Sequence, residues 1–129
     1  AVDIDPAMIG IAAFYFKLKD SGSLQIVQKD AFYFLSVNKK KYQLIIVDLF
    51  IGFKNPQKFR ERKFIKNLKN SLTPGGLAVF NSHYSDKEKG EFDKLYNLCR
   101  DIFPVCQLIV SYPYSRIILL SPLLNFYPD

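Results

Sequence analysis

Short apolar runs alternate along this chain with longer stretches in which apolar residues recur at helical spacing. That alternation predicts β-α units stacked around a mostly parallel sheet, with helices on both faces. Residues 1–4 read as a short strand that runs into acidic residues. Pro6 then opens a helix, where its missing N–H is not needed, and Asp5 is placed to cap it. Ile9, Ala12, Ala13 and Phe16 continue that helix until Asp20-Ser21-Gly22-Ser23 breaks it. Leu24 to Gln28 reads as the next strand and Ala31 to Val37 as a short helix. Leu44-Ile45-Ile46-Val47 is an unbroken apolar run, which predicts a central strand covered on both faces.

A loop from Leu49 to Pro56 leads to a basic helix expected from Gln57 to Ser71, with Phe64, Ile65, Leu68 and Leu72 as its buried stripe. Thr73-Pro74-Gly75-Gly76 reads as a stop and turn. A buried strand follows over Leu77 to Asn81, then a helix over Asp86 to Asp101 with Phe92, Leu95, Tyr96 and Cys99 inward. Val105 to Tyr112 and Arg116 to Ser121 pair as a terminal antiparallel hairpin across Pro113-Tyr114. Residues 1–121 thus form one α/β domain, and 122–129 a tail. The tripeptide Phe-Tyr-Phe at 14–16 and 32–34 is a coincidence between two helices on one sheet.

Composition changes little in this picture. Of 129 residues, 49% are hydrophobic and 16% aromatic, which excludes a disordered chain. The net charge of +6 permits an acidic partner. However, the cations at Lys39 to Lys41 and from Lys54 to Lys69 are read first as a polar loop and the solvated face of a helix. Cys99 and Cys106 match no metal-ligand spacing, so no metal is expected and both thiols are read as reduced. No secretory signal and no apolar run long enough to span a bilayer occurs, so the cytoplasm is the expected compartment and no membrane partner is expected. Ala1 stands where a start methionine is absent and the chain begins at once in a strand, so it reads as a fragment, a processed product or a piece made for expression.

In an open parallel sheet, ligands bind beyond the carboxyl ends of the strands. Here those ends carry Asp3 and Asp5, Asp30, Asp48, and Asn81 with His83. The single histidine, His83, is read as an exposed loop residue in preference to a role in proton transfer.

Four segments carry a resemblance to the spermidine synthases within the class I S-adenosylmethionine (SAM) methyltransferase superfamily. They are Val2-Asp3-Ile4-Asp5-Pro6, Lys29-Asp30-Ala31, Tyr42 to Asp48, and Leu72-Thr73-Pro74-Gly75-Gly76 on to Asn81. Their order and spacing over residues 1–121 resemble that family's. The resemblance implies a Rossmann-like SAM methyltransferase fold. It also implies a co-substrate, SAM or decarboxylated SAM, and an amine-like acceptor. Asp3 would accept hydrogen bonds from the nucleoside ribose. Asp30, with the backbone of Ala31, would recognise adenine. Asp48 would orient or deprotonate the attacking amine.

Two departures qualify the implied activity. Ile51 stands where the family usually has a second Asp that helps hold the polyamine. No glycine-rich first strand and turn occurs in these residues, although that motif supplies backbone N–H groups to the co-substrate. In the usual strand order the absent strand would lie between those at 1–4 and 43–48. An open edge there is a feature through which a homodimer would form.

Three functions follow: an aminopropyl or methyl transferase, a catalytically inactive homologue serving as a binding or assembly module, and nucleic-acid binding by the basic helix. The last would use Lys58, Arg60, Arg62, Lys63, Lys66 and Lys69, and it is the least favoured.

Overall fold

A computed structural model describes residues 1–112 and 114–123. The chain divides into two compact units, residues 1–38 and 39–129. Pro113 and residues 124–129 lie outside the described residues, and with them the centre of the expected hairpin turn and most of the expected tail.

The first unit holds a two-stranded parallel sheet, β1 (Val2–Asp3) beside β2 (Val27–Gln28). Helix α1 (Pro6–Phe16) starts at Asp5, whose side chain accepts from the Ala7 N–H, with Pro6 at its first position. It ends at Lys17, which adopts the left-handed conformation at φ 58°. Helix α2 spans Ala31–Val37, the bounds expected from the sequence. Neither helix has a fully buried residue.

The second unit is built on a four-stranded sheet of order β3-β4-β6-β5. Strand β3 (Tyr42–Val47) runs parallel to β4 (Leu72–His83). Strands β4 and β6 (Ser115–Ser121), and β6 and β5 (Val105–Tyr112), are antiparallel. The sheet is therefore mixed rather than mostly parallel. Helices α3 (Arg62–Asn70) and α4 (Lys89–Ile102) supply Phe64, Ile65, Leu68, Phe92, Leu95 and Cys99 to a core completed by Phe80, Ile118 and Leu120 from the sheet. Among the described residues, no helix is long and apolar enough to cross a membrane.

Three expectations are corrected here. Strand β3 is not a covered central strand. Among the described residues it pairs with β4 alone and lies at an edge, with Leu44 53% and Ile46 66% exposed. The basic helix is not continuous: a 3-10 turn at Gln57–Arg60 is separated from α3 by Glu61 in extended conformation. Thr73-Pro74-Gly75-Gly76 is not a turn between elements but part of β4, where the register to β3 shifts between Tyr42 and Leu44. Gly76 is required there by close approach, because a Cβ would meet the Tyr42 carbonyl oxygen at 2.9 Å.

Candidate active site

Each unit carries its own share of the strand-end polar residues. In the first, Asp3 closes β1 and Asp30 follows β2, so parallel pairing brings both to one sheet edge, where the Lys29 N–H donates to the Asp3 carbonyl at 2.9 Å. The Asp3 carboxylate is exposed and accepts the Asp5 N–H at 2.8 Å. Asp30 caps α2: its Oδ1 accepts the N–H groups of Phe32 at 2.8 Å and Tyr33 at 3.3 Å. Ala31 is the first residue of that helix. Capping the first-turn N–H groups is a structural task that Asp30 performs whatever else it contacts.

In the second unit, Asp48 stands exposed just past β3, beside the end of β4. Asn81 Nδ2 donates to Asp48 Oδ1 at 2.9 Å, and Ser115 Oγ donates to Asn81 Oδ1 at 3.2 Å. This chain of hydrogen bonds crosses from β3 to β4 to β6. With its donor committed to a carboxylate and its acceptor to a hydroxyl, the Asn81 amide has a defined orientation. It holds one carboxylate oxygen of Asp48 at an edge open to solvent.

Asn55 fixes the loop that follows. It is buried, at 5% exposure, although polar. Its Nδ2 donates to the carbonyls of Leu49 at 2.8 Å and Asn81 at 3.1 Å, and its Oδ1 accepts the His83 N–H at 3.4 Å. One side chain thereby ties the residue after Asp48 to the end of β4. Beyond it, Ile51 and Lys54 exchange backbone hydrogen bonds at 2.9 and 3.2 Å across a tight turn with Gly52 at φ 60°. Ile51 is 76% exposed and carries no charge to that edge.

His83 is a half-buried residue at the end of β4, not an exposed loop residue. Its ring stacks on Tyr114 at 6.2 Å between centroids and faces Phe53 at 6.3 Å. Its Nε2 lies 3.8 Å from Glu88 Oε2. The opposite Glu88 oxygen pairs with Lys54 Nζ at 2.8 Å, and Ser85 Oγ donates to Oε2 at 3.2 Å. The hydrogen bond from Lys54 is the main cause holding the Glu88 carboxyl below its ordinary range. The same bond raises the Lys54 ammonium above its own.

Much of the expected basic row is turned toward α4. Arg60 binds Glu91, Arg62 reaches Asp101 at 3.4 Å, and Lys69 donates to the Ile102 carbonyl at 2.7 Å. These partners draw three of the six named cations into contacts within the unit. Cys99 and Cys106 are free thiols, Cys99 buried in the core and Cys106 pushed up to about 11 by burial.

Sequence reasoning found Asp48 and Asn81 but not Asn55 or Ser115. Asn55 precedes Pro56 in a loop, a pattern that signals a turn. Nothing local to it indicates that its amide bonds a strand end 26 residues away.

The fold is that of the Rossmann-like SAM methyltransferases. Human methyltransferase-like protein 13, solved in complex with SAH, superimposes with a TM-score of 0.84 at 21% identity, over 100% of this chain and 63% of that one. A probable spermidine synthase from Corynebacterium glutamicum gives 0.81 at 22% identity, over 95% and 46%. The sequence narrows the class further: the spermine/spermidine synthase domain matches residues 1–115, and the chain belongs to that family. A polyamine aminopropyltransferase from Chromobacterium violaceum is 30% identical over 100 residues, which is 76% of this chain but 38% of that protein. The chain thus spans well under half the length of this curated relative.

Proposed function

We propose that this domain takes part in aminopropyl transfer from decarboxylated SAM to an amine acceptor, with Asp48 as the acceptor-side carboxylate. The observation that carries the reading is the exposed Asp48 carboxylate, held by Asn81, which Ser115 orients in turn, at the end of a parallel strand. Membership in the spermine/spermidine synthase family supports it. In the step, the amine lone pair attacks the aminopropyl carbon bonded to the sulfonium. The carbon–sulfur bond breaks, its electron pair goes to sulfur, and 5′-methylthioadenosine leaves. An amine protonated in solution cannot attack, so Asp48 orients it and accepts the proton it sheds. Asp3 would receive the ribose hydroxyls and Asp30, with the Ala31 backbone, the adenine amino group.

The test is Asp48→Asn in the complete protein, which keeps the Asn81 contact sterically but removes the proton acceptor. We expect kcat for aminopropyl transfer to fall about 100-fold or more, with methylthioadenosine affinity unchanged. Unchanged turnover would remove Asp48 from the chemistry. Running the same assay with SAM in place of decarboxylated SAM separates aminopropyl from methyl transfer.

A second reading, an inactive homologue serving as a binding or assembly module, is favoured by the exposed Leu44 and Ile46 on β3, an edge strand among the described residues. Transfer of either group by the complete protein would dismiss it.

A further inference from the structure

The side chain of Asn55 does for β4 what a strand residue would do. The register that pairs Val47 with Phe80, continued two residues further, brings Leu49 beside Ser82. In a parallel ladder the N–H of that residue would donate to the Asn81 carbonyl, and its carbonyl would accept the His83 N–H. Asn55 supplies both groups instead. Its Nδ2 donates to the Asn81 carbonyl at 3.1 Å, and its Oδ1 accepts the His83 N–H at 3.4 Å. Nδ2 also donates to the Leu49 carbonyl at 2.8 Å, so the carboxamide stands between Leu49 and the strand that Leu49 would have joined. A carboxamide has the planar donor and acceptor pair of a peptide group, and Gln, the other side chain that carries one, is a methylene longer. Asn55 is buried, and Pro56, at φ -56°, restricts the backbone of the residue before it. The substitute peptide is therefore presented from a fixed position.

The same contacts enclose Asp48. Asn81 is bound twice: its side chain donates to Asp48 Oδ1 at 2.9 Å, and its carbonyl accepts from Asn55. Asn55 in turn holds Leu49, the next residue after Asp48. A ring results, running from the Asp48 carboxylate to Asn81, to Asn55, to Leu49 and back to Asp48 through the chain. Strand β3 has ended at Val47 and Asp48 is exposed. Neither ladder pairing nor burial sets the direction of its carboxylate, so the ring does.

We propose that Asn55 is a positioning residue for aminopropyl transfer: it replaces the strand that stops at Asp48 and aligns the Asp48 carboxylate through Leu49 and Asn81. The proposal rests on the reading of Asp48 as the acceptor-side carboxylate.

A double-mutant cycle between Asn55→Ala and Asp48→Asn in the complete protein tests it. Aminopropyl transfer is assayed below the melting transition of each variant, and calorimetric binding of methylthioadenosine checks that each is folded. Asn55→Ala should lower kcat about tenfold, because a small misplacement of a reacting group is costly. The KM for decarboxylated SAM should stay as in the parent. In the Asp48→Asn background the same substitution should change kcat by less than about twofold, since the group it aligns is gone. Asn55→Ser keeps one hydroxyl donor and should fall between Asn55→Ala and the parent; it takes the place of Asn55→Ala in the cycle if the alanine variant does not fold. An unchanged kcat in the Asn55 variants, or a loss repeated in full in the Asp48→Asn background, would overturn the proposal and leave Asn55 as a clamp on the loop. Neither result touches the role of Asp48 while Asp48→Asn alone is slow. Asp48→Asn as fast as the parent would overturn the reading of Asp48, and this proposal with it.

Discussion

The two units of this chain use apolar residues in opposite ways. In residues 39–129 they are removed from water: Phe64, Ile65, Leu68, Phe80, Leu95, Ile118 and Leu120 are each no more than 1% exposed. In residues 1–38 they are displayed. Met8, Ile11, Phe14, Tyr15 and Phe16 on α1 are 44–71% exposed, and no residue of either helix is buried. A helix that is apolar on all sides is suited to burial on all sides, and α1 has no such surroundings within its own unit. Asp48, proposed for acceptor chemistry, stands just past a strand of the packed sheet. Asp3 and Asp30, proposed for the nucleoside, stand at the end of a sheet of two residue pairs.

Truncation of one large side chain in each unit is the strongest way to break that comparison. Leu68→Ala opens a cavity where nothing is exposed and should cost about 2–5 kcal/mol. Phe16→Ala removes a larger side chain that is 71% exposed, and should change stability by no more than about 0.5 kcal/mol. Urea denaturation of both variants checks this. A Phe16→Ala cost comparable to that of Leu68→Ala would mean that α1 is covered in solution.

Legibility followed the same division between local and distant causes. The bounds of α2 could be read because Asp30 caps it locally. The hairpin of β5 and β6 could be read from two apolar runs flanking Pro113-Tyr114. The misreadings arose where a distant partner decides. Leu44 to Val47 has the composition of a central strand, but coverage depends on neighbours, and among the described residues β3 pairs with β4 alone. Thr73-Pro74-Gly75-Gly76 has turn chemistry, but pairing with β3 draws it into β4 and uses Gly76 for close approach to Tyr42. The basic segment was read as one helix from Gln57, but its apolar stripe begins only at Phe64, and the extended backbone of Glu61 divides it. At the site, Asp48 was legible because a strand-end carboxylate is a local pattern. The Asn81–Ser115 support and the Asn55 clamp were not, because hydrogen bonds across a sheet leave no local trace.

Asn55 sharpens the comparison within the packed unit, since it tests whether the Asp48 loop shares the rigidity of the core. Asn55→Ala leaves the Leu49 and Asn81 carbonyls without their buried donor, which should cost about 1–3 kcal/mol. Amide exchange should accelerate over residues 49–55 and at His83, whose N–H loses its acceptor, while α3 and α4 retain their protection. Unchanged exchange in the loop would mean that the Ile51–Lys54 turn holds it unaided.

Asp30 provides the smallest and most discriminating test, because its structural and ligand roles can be separated by chemistry. Asp30→Ala removes the cap of α2 and should cost about 1 kcal/mol. Asp30→Asn is an equally good cap by preference and keeps a side-chain oxygen to accept from Phe32 and Tyr33, so stability should be retained. The two roles then diverge in ligand binding. If the Asp30 carboxylate recognises the adenine amino group, the Asn variant loses a charged acceptor and methylthioadenosine affinity falls even though the helix stands. If Asp30 serves only the helix, the Asn variant binds as the parent does, and the charge of Asp30 has no part in nucleoside recognition.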